Sequence, residues 1–129
     1  MAICEPQGID NSPVNIKWDI VRGDTATLRV DFLENDEVTA IDISTWDFIA
    51  SAYDPATQVN DELDINVGTG YVEIVAEPFI TETWGQGNKP GILATKLNFD
   101  LQVITADDIT WTPVAGTINV IGDISGSTL

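Results

Sequence analysis

Leu63-Asp64-Ile65-Asn66-Val67-Gly68-Thr69-Gly70-Tyr71-Val72-Glu73-Ile74-Val75-Ala76 is the stretch whose reading decides the fold. Leu63, Ile65 and Val67 alternate with Asp64 and Asn66. After the Gly68-Thr69-Gly70 step, Val72, Ile74 and Ala76 alternate with Tyr71, Glu73 and Val75. Alternation with a period of two places one set of side chains on each face of a strand, and a glycine-bearing turn between two such runs closes a hairpin.

The same pattern extends outward in both directions. Upstream, Ile16, Trp18 and Ile20 alternate with Lys17 and Asp19, and Leu28, Val30 and Phe32 alternate with Arg29 and Asp31 before the acidic turn Glu34-Asn35-Asp36-Glu37, a hairpin-like connection. Ile41 and Ile43 flank Asp42 as a short strand, and Trp46, Phe48, Ala50 and Ala52 form the next strand up to the Asp54-Pro55 step. Downstream, an irregular segment from Pro78 to Gly91 has room for a short helix over Ile80 to Trp84. Leu97, Phe99, Leu101 and Val103 then make one central strand, and Ile118 and Val120 belong to another. The link from Thr105 through Pro113 reads as irregular.

No segment sustains helical spacing. Seven or eight short strands with turn signals every 8 to 12 residues predict an all-β chain, specifically an immunoglobulin-like antiparallel β-sandwich with an irregular N-terminal arm. The expected division is an arm over 1–13, one sandwich domain over 14–125 and a tail over 126–129, since 129 residues suit a single core. The single cysteine, Cys4, excludes the paired-cysteine hallmark of antibody domains.

Composition narrows function mainly by exclusion. With 21 acidic and 5 basic residues the formal charge is -16, so nucleic acid and anionic membrane are repelled and neither is expected as a partner. Met1 to Asp10 lacks a basic, apolar leader pattern, and no apolar run reaches the length of a bilayer span. Histidine is absent, which removes the commonest general base, the commonest zinc ligand and every Ser-His or Cys-His pair. Neither Asp107-Asp108 nor the 34–37 turn matches a spaced calcium loop, and Gly85-Gln86-Gly87-Asn88-Lys89 lacks phosphate-loop spacing. No cofactor, metal or catalytic residue is expected. Arg22-Gly23-Asp24 is the tripeptide that integrins bind, yet at a strand end it reads as a glycine-permitted turn.

Three segments in order carry a family likeness: Ile20-Val21-Arg22-Gly23-Asp24-Thr25 leading to Leu28-Arg29-Val30-Asp31-Phe32; Ile41-Asp42-Ile43-Ser44; and Asn98-Phe99-Asp100-Leu101-Gln102-Val103 leading to Ala115-Gly116-Thr117-Ile118-Asn119-Val120. From Val14 onward the chain resembles the small sandwich domains of tailed-bacteriophage virions, similar to the N-terminal domain of upper baseplate proteins and to short tail and head accessory proteins. The resemblance implies a non-enzymatic adaptor or decoration, assembled in the host cytoplasm into the virion. Its implied partners are other tail, baseplate or capsid proteins, with several symmetric copies present.

Trp18 and Trp46 fall within strand alternation and are expected in the core. Trp84 and Trp111 fall in irregular segments and are the expected interface anchors, together with Ile3 and Ile9 of the arm. The alternative function is a carbohydrate-binding module with Trp84 or Trp111 as its stacking platform.

Overall fold

A computed structural model describes residues 2–4, 13–34, 36–85 and 91–124, the first of these as backbone only. The chain is all-β with one short helix. Its strands are β1 (Ala2–Cys4), β2 (Val14–Val21), β3 (Ala26–Leu33), β4 (Asp47–Asp54), β5 (Val59–Val67), β6 (Tyr71–Ala76), β7 (Leu93–Ile104) and β8 (Thr110–Ile121), with α1 (Pro78–Thr81) between β6 and β7. Hydrogen bonding runs in the order β1-β3-β6-β5-β4-β7-β8-β2.

Two layers arise from one continuous sheet because β5 changes partners along its length. Its first half pairs with β4, from Val59↔Asp54 to Leu63↔Ala50, and its second half with β6, from Asp64↔Val75 to Val67↔Val72. The layers then face one another across a shared apolar interior, as in a sandwich. Phe32 of β3 meets Phe48 of β4 at 5.7 Å and Trp111 of β8 at 6.1 Å between ring centroids, so aromatic contacts span the gap. Val30, Ile74, Leu101 and Val114, each fully buried, fill the space around them. Burying such a side chain stabilises the fold by about 1.5–3 kcal/mol.

The expected antiparallel arrangement holds for the five inner pairings among the described residues, but both outer ones are parallel. β2 lies alongside β8 in register Trp18↔Ile118, and β1 alongside β3 in register Ile3↔Phe32. Alternation reveals which residues share a face but not the direction of a partner, so it left this point open. Ala2–Cys4 are therefore strand and not irregular arm.

Two loops also depart from expectation. Ile41–Ile43 form no strand; the chain returns from β3 through an Ala40↔Leu33 bridge and the Ile41 N–H bond to the Phe32 carbonyl at 3.0 Å. Thr110–Pro113 belong to β8 and not to a loop, which shortens the β7–β8 link to Thr105–Ile109. The Gly68–Gly70 hairpin turn is as expected, with the left-handed residue at Gly70, φ 75°.

Carboxylates shape the turn after β3. Asp36 accepts from the Thr39 hydroxyl at 2.5 Å and from the Thr39 and Val38 N–H groups at 2.8 and 2.9 Å. The Thr39 hydroxyl bond, then the backbone bonds, hold its carboxyl below the ordinary 3.8. Ser44 does the same for Asp42 through its side chain and its N–H. A depressed folded value adds stability at pH above 3.8 that disappears as the pH falls through the folded value. In a carboxyl-detected NMR titration, Asp36 and Asp42 are expected to protonate below the ordinary aspartate value of 3.8, with the Thr39 and Ser44 amides moving in step. Midpoints at the ordinary value would contradict these turn geometries.

Candidate interaction surface

At one end of the sandwich, β2 crosses into β3, β8 ends and α1 turns toward β7. Buried polar bonds tie these segments together. The Arg22 side chain is 4% exposed; its Nε donates to Asp123 Oδ1 at 3.0 Å and its Nη1 to the Gly85 carbonyl at 2.5 Å. The Thr81 hydroxyl, fully buried on α1, accepts from the Gly23 N–H at 3.1 Å and donates to the Asp24 carbonyl at 2.9 Å. Pro78 starts α1, a first-turn position where a missing N–H costs nothing. With Arg22 buried in this cluster, Arg22-Gly23-Asp24 is a structural turn and offers no exposed arginine to a receptor.

Trp84 follows α1 and is 3% exposed, with its Nε1 donating to Asp61 Oδ2 at 2.8 Å. Trp111, 7% exposed, stands in β8 opposite Val103 and packs on Phe32 and Trp46. Both side chains expected as interface anchors thus lie in the core, and neither ring has a face open for a sugar. Trp18 and Trp46, expected in the core, are the half-buried pair packed against its margin. The backbone of Ile3, in β1, pairs with Phe32 of β3, and Ile9 lies outside the described residues.

A cleft of about 400 Å³ opens beside Trp84, lined in part by Asp54, Asp61, Thr83 and Thr95. Its carboxylates are occupied locally: Asp54 Oδ1 accepts from the Ala56 N–H at 2.9 Å, and Asp61 holds the indole. Among the described residues, no three carboxylate, thiol or imidazole side chains are grouped to hold a metal, and no helix is long and apolar enough to cross a membrane.

The same end carries an aliphatic surface. Val21, Ile121 and Leu93 are register neighbours on β2, β8 and β7. Their strand neighbours Ile20, Val120 and Ala94 are buried, so all three side chains point outward. Exposed Ile92 and Ile124 adjoin them, because the Gly122 N–H bonds to the Ile92 carbonyl at 2.9 Å and Ile124 lies against Gly91. Arg22 and Asp123 sit next in sequence to Val21 and Ile124, so the buried ion pair fixes the strand ends that present this surface. The signal for it was legible: Ile20-Val21, Ile92-Leu93 and Val120-Ile121 are apolar doublets that break the alternation at strand ends.

The fold and this surface define an all-β chain in which two layers of one mixed sheet enclose an aromatic core, with an aliphatic face at one end. None of the protein-family models matches the chain, nor does any curated protein. Among solved structures it is similar to the N-terminal domain of phage TP901-1 ORF48, at a TM-score of 0.45 and 9% identity over 95% of each chain. A likeness that distant bears on neither activity nor partners.

Proposed function

We propose that the chain is a non-enzymatic structural protein of a tailed-phage virion, an adaptor or decoration that binds other tail, baseplate or capsid proteins. The observation that carries the binding role is the aliphatic row Val21, Ile121 and Leu93 with Ile92 and Ile124 beside it, on a surface that is otherwise strongly acidic. Val21, Leu93, Ile92 and Ile124 are exposed and Ile121 between them is half-buried; contiguous apolar side chains at the surface, rimmed by polar ones, are the usual mark of a protein-protein contact. The sequence likeness to small virion sandwiches supplies the setting. A complementary partner offers an apolar seat bordered by basic groups. The carbohydrate reading loses its support, since both tryptophans it relied on are buried.

The test is quantitative mass spectrometry of density-banded particles of the phage that encodes the chain. The wild-type chain is expected at a fixed ratio to the major tail or head proteins. The doubly substituted Leu93→Glu, Ile121→Glu variant, with an unchanged melting temperature, is expected to fall by at least about tenfold in the particles, the loss of a central apolar contact. A chain missing from particles yet retained on a glycan array overturns the proposal.

A further inference from the structure

β2 is one end of the sheet, and among the described residues no strand pairs with its outer side. The Arg22 N–H bonds to the Ile121 carbonyl at 2.8 Å, which sets the phase of the parallel β2–β8 ladder. Even-numbered residues of β2 direct their backbone groups to β8, and Asn15, Lys17, Asp19 and Val21 direct theirs outward. The Val21 carbonyl is taken by the Asp24 N–H at 3.0 Å, while the Val21 N–H still faces outward.

An antiparallel partner strand must match that phase. When the partner is β2 of a second copy, the registers that join outward residues to outward residues are those whose residue numbers give an even sum from 30 to 42. A sum of 36 alone pairs all four: Asn15 with Val21 and Lys17 with Asp19, each twice. The neighbouring sums of 34 and 38 oppose Lys17 to Lys17 and Asp19 to Asp19, and like charges directly opposite destabilise a sheet. In the favoured register, Trp18 faces Trp18 and Ile16 faces Ile20 at non-hydrogen-bonded sites, covering Ile16 and Trp18, which one copy leaves half-buried at the core margin. Lys17 makes no ion pair among the described residues, and its register neighbour on β8 is Thr117. Asp19 accepts from Asn119 Nδ2 through Oδ1, which leaves Oδ2 for a lysine.

We propose that β2 is a self-complementary edge through which two copies of this chain join in an antiparallel, two-fold ladder centred on Trp18, with reciprocal Lys17–Asp19 pairs. The pairing concerns the chain with itself and holds whether or not the chain binds virion proteins. Two copies at -16 each repel, so association strengthens as salt rises toward about 0.15 M and screens the long-range charge.

Sedimentation equilibrium of the full chain from micromolar to millimolar concentration tests this. The expected result is a monomer–dimer equilibrium whose dissociation constant rises at least about tenfold in Lys17→Asp, which turns two attractive contacts repulsive. In the double exchange Lys17→Asp with Asp19→Lys, it returns to within about threefold of the wild-type value. Lys17→Pro removes an outward N–H, leaves the β8 ladder intact and is expected to abolish the dimer while far-UV circular dichroism is unchanged. A monomer at every concentration, or a dimer indifferent to these exchanges, overturns the proposal.

Discussion

Gly116→Ala is expected to destabilise the fold by about 3 kcal/mol in urea unfolding, the upper range for an added methyl that finds no space. Gly116 of β8 is the register partner of Ile16 on β2 and Phe99 on β7. A Cβ at this position falls 2.0 Å from the Ile16 carbonyl oxygen and 2.8 Å from the Ile16 nitrogen. These are backbone atoms of the neighbouring strand, so no rotamer change relieves the overlap and β2 must move away. Hydrogen exchange should therefore accelerate through Val14–Val21 while the β4–β5 ladder keeps its protection. A variant within about 0.5 kcal/mol of wild type, the range of an unconstrained surface change, would show that the strands do not approach this closely.

Arg22→Met is expected to cost about 3 kcal/mol or more, because it leaves Asp123, only 13% exposed, without its guanidinium. The Gly85 carbonyl loses a donor at the same time. Combining it with Asp123→Leu should recover part of the loss, since two apolar side chains of similar size remove the buried charge along with the ion pair. Thermal unfolding of both singles and the double, closed as a cycle, measures the coupling. Additive effects would show that Arg22 and Asp123 do not depend on each other. Because this pair anchors the ends of β2 and β8, the single variant should also loosen the Val21, Ile121 and Leu93 surface.

Much of the fold was legible because a half-buried strand writes its two faces into the sequence. β3, β7 and the centre of β8 follow the alternation of Val30, Leu101 and Ile118 with polar neighbours, and β6 alternates in the same way although Val75 is apolar on its outer face. Pairing partners were not legible. The parallel contact of β2 with β8 depends on distant backbone groups that no local pattern encodes. Trp111 was misread because Pro113 beside it suggested a loop, whereas β8 begins at Thr110. Trp84 was misread for a related reason: an irregular backbone can still turn its side chain inward, here held by Asp61. The Val21, Ile121 and Leu93 surface carries no aromatic residue, and its signal lies in the aliphatic doublets at strand ends.

The order in which the chain emerges during synthesis sets when these layers can close. β2 is made early, yet its register partners on β8 lie 100 residues downstream, as with Asp19 and Asn119. At ribosomal speeds of about 5–20 residues per second, β2 waits roughly 5–20 s with neither edge paired in its final ladder. Contacts of such long sequence separation also make folding slow after release. Through that interval Ile16, Trp18 and Ile20 are uncovered apolar surface, and the charges of Lys17 and Asp19 between them penalise any pairing that sets like charge opposite like.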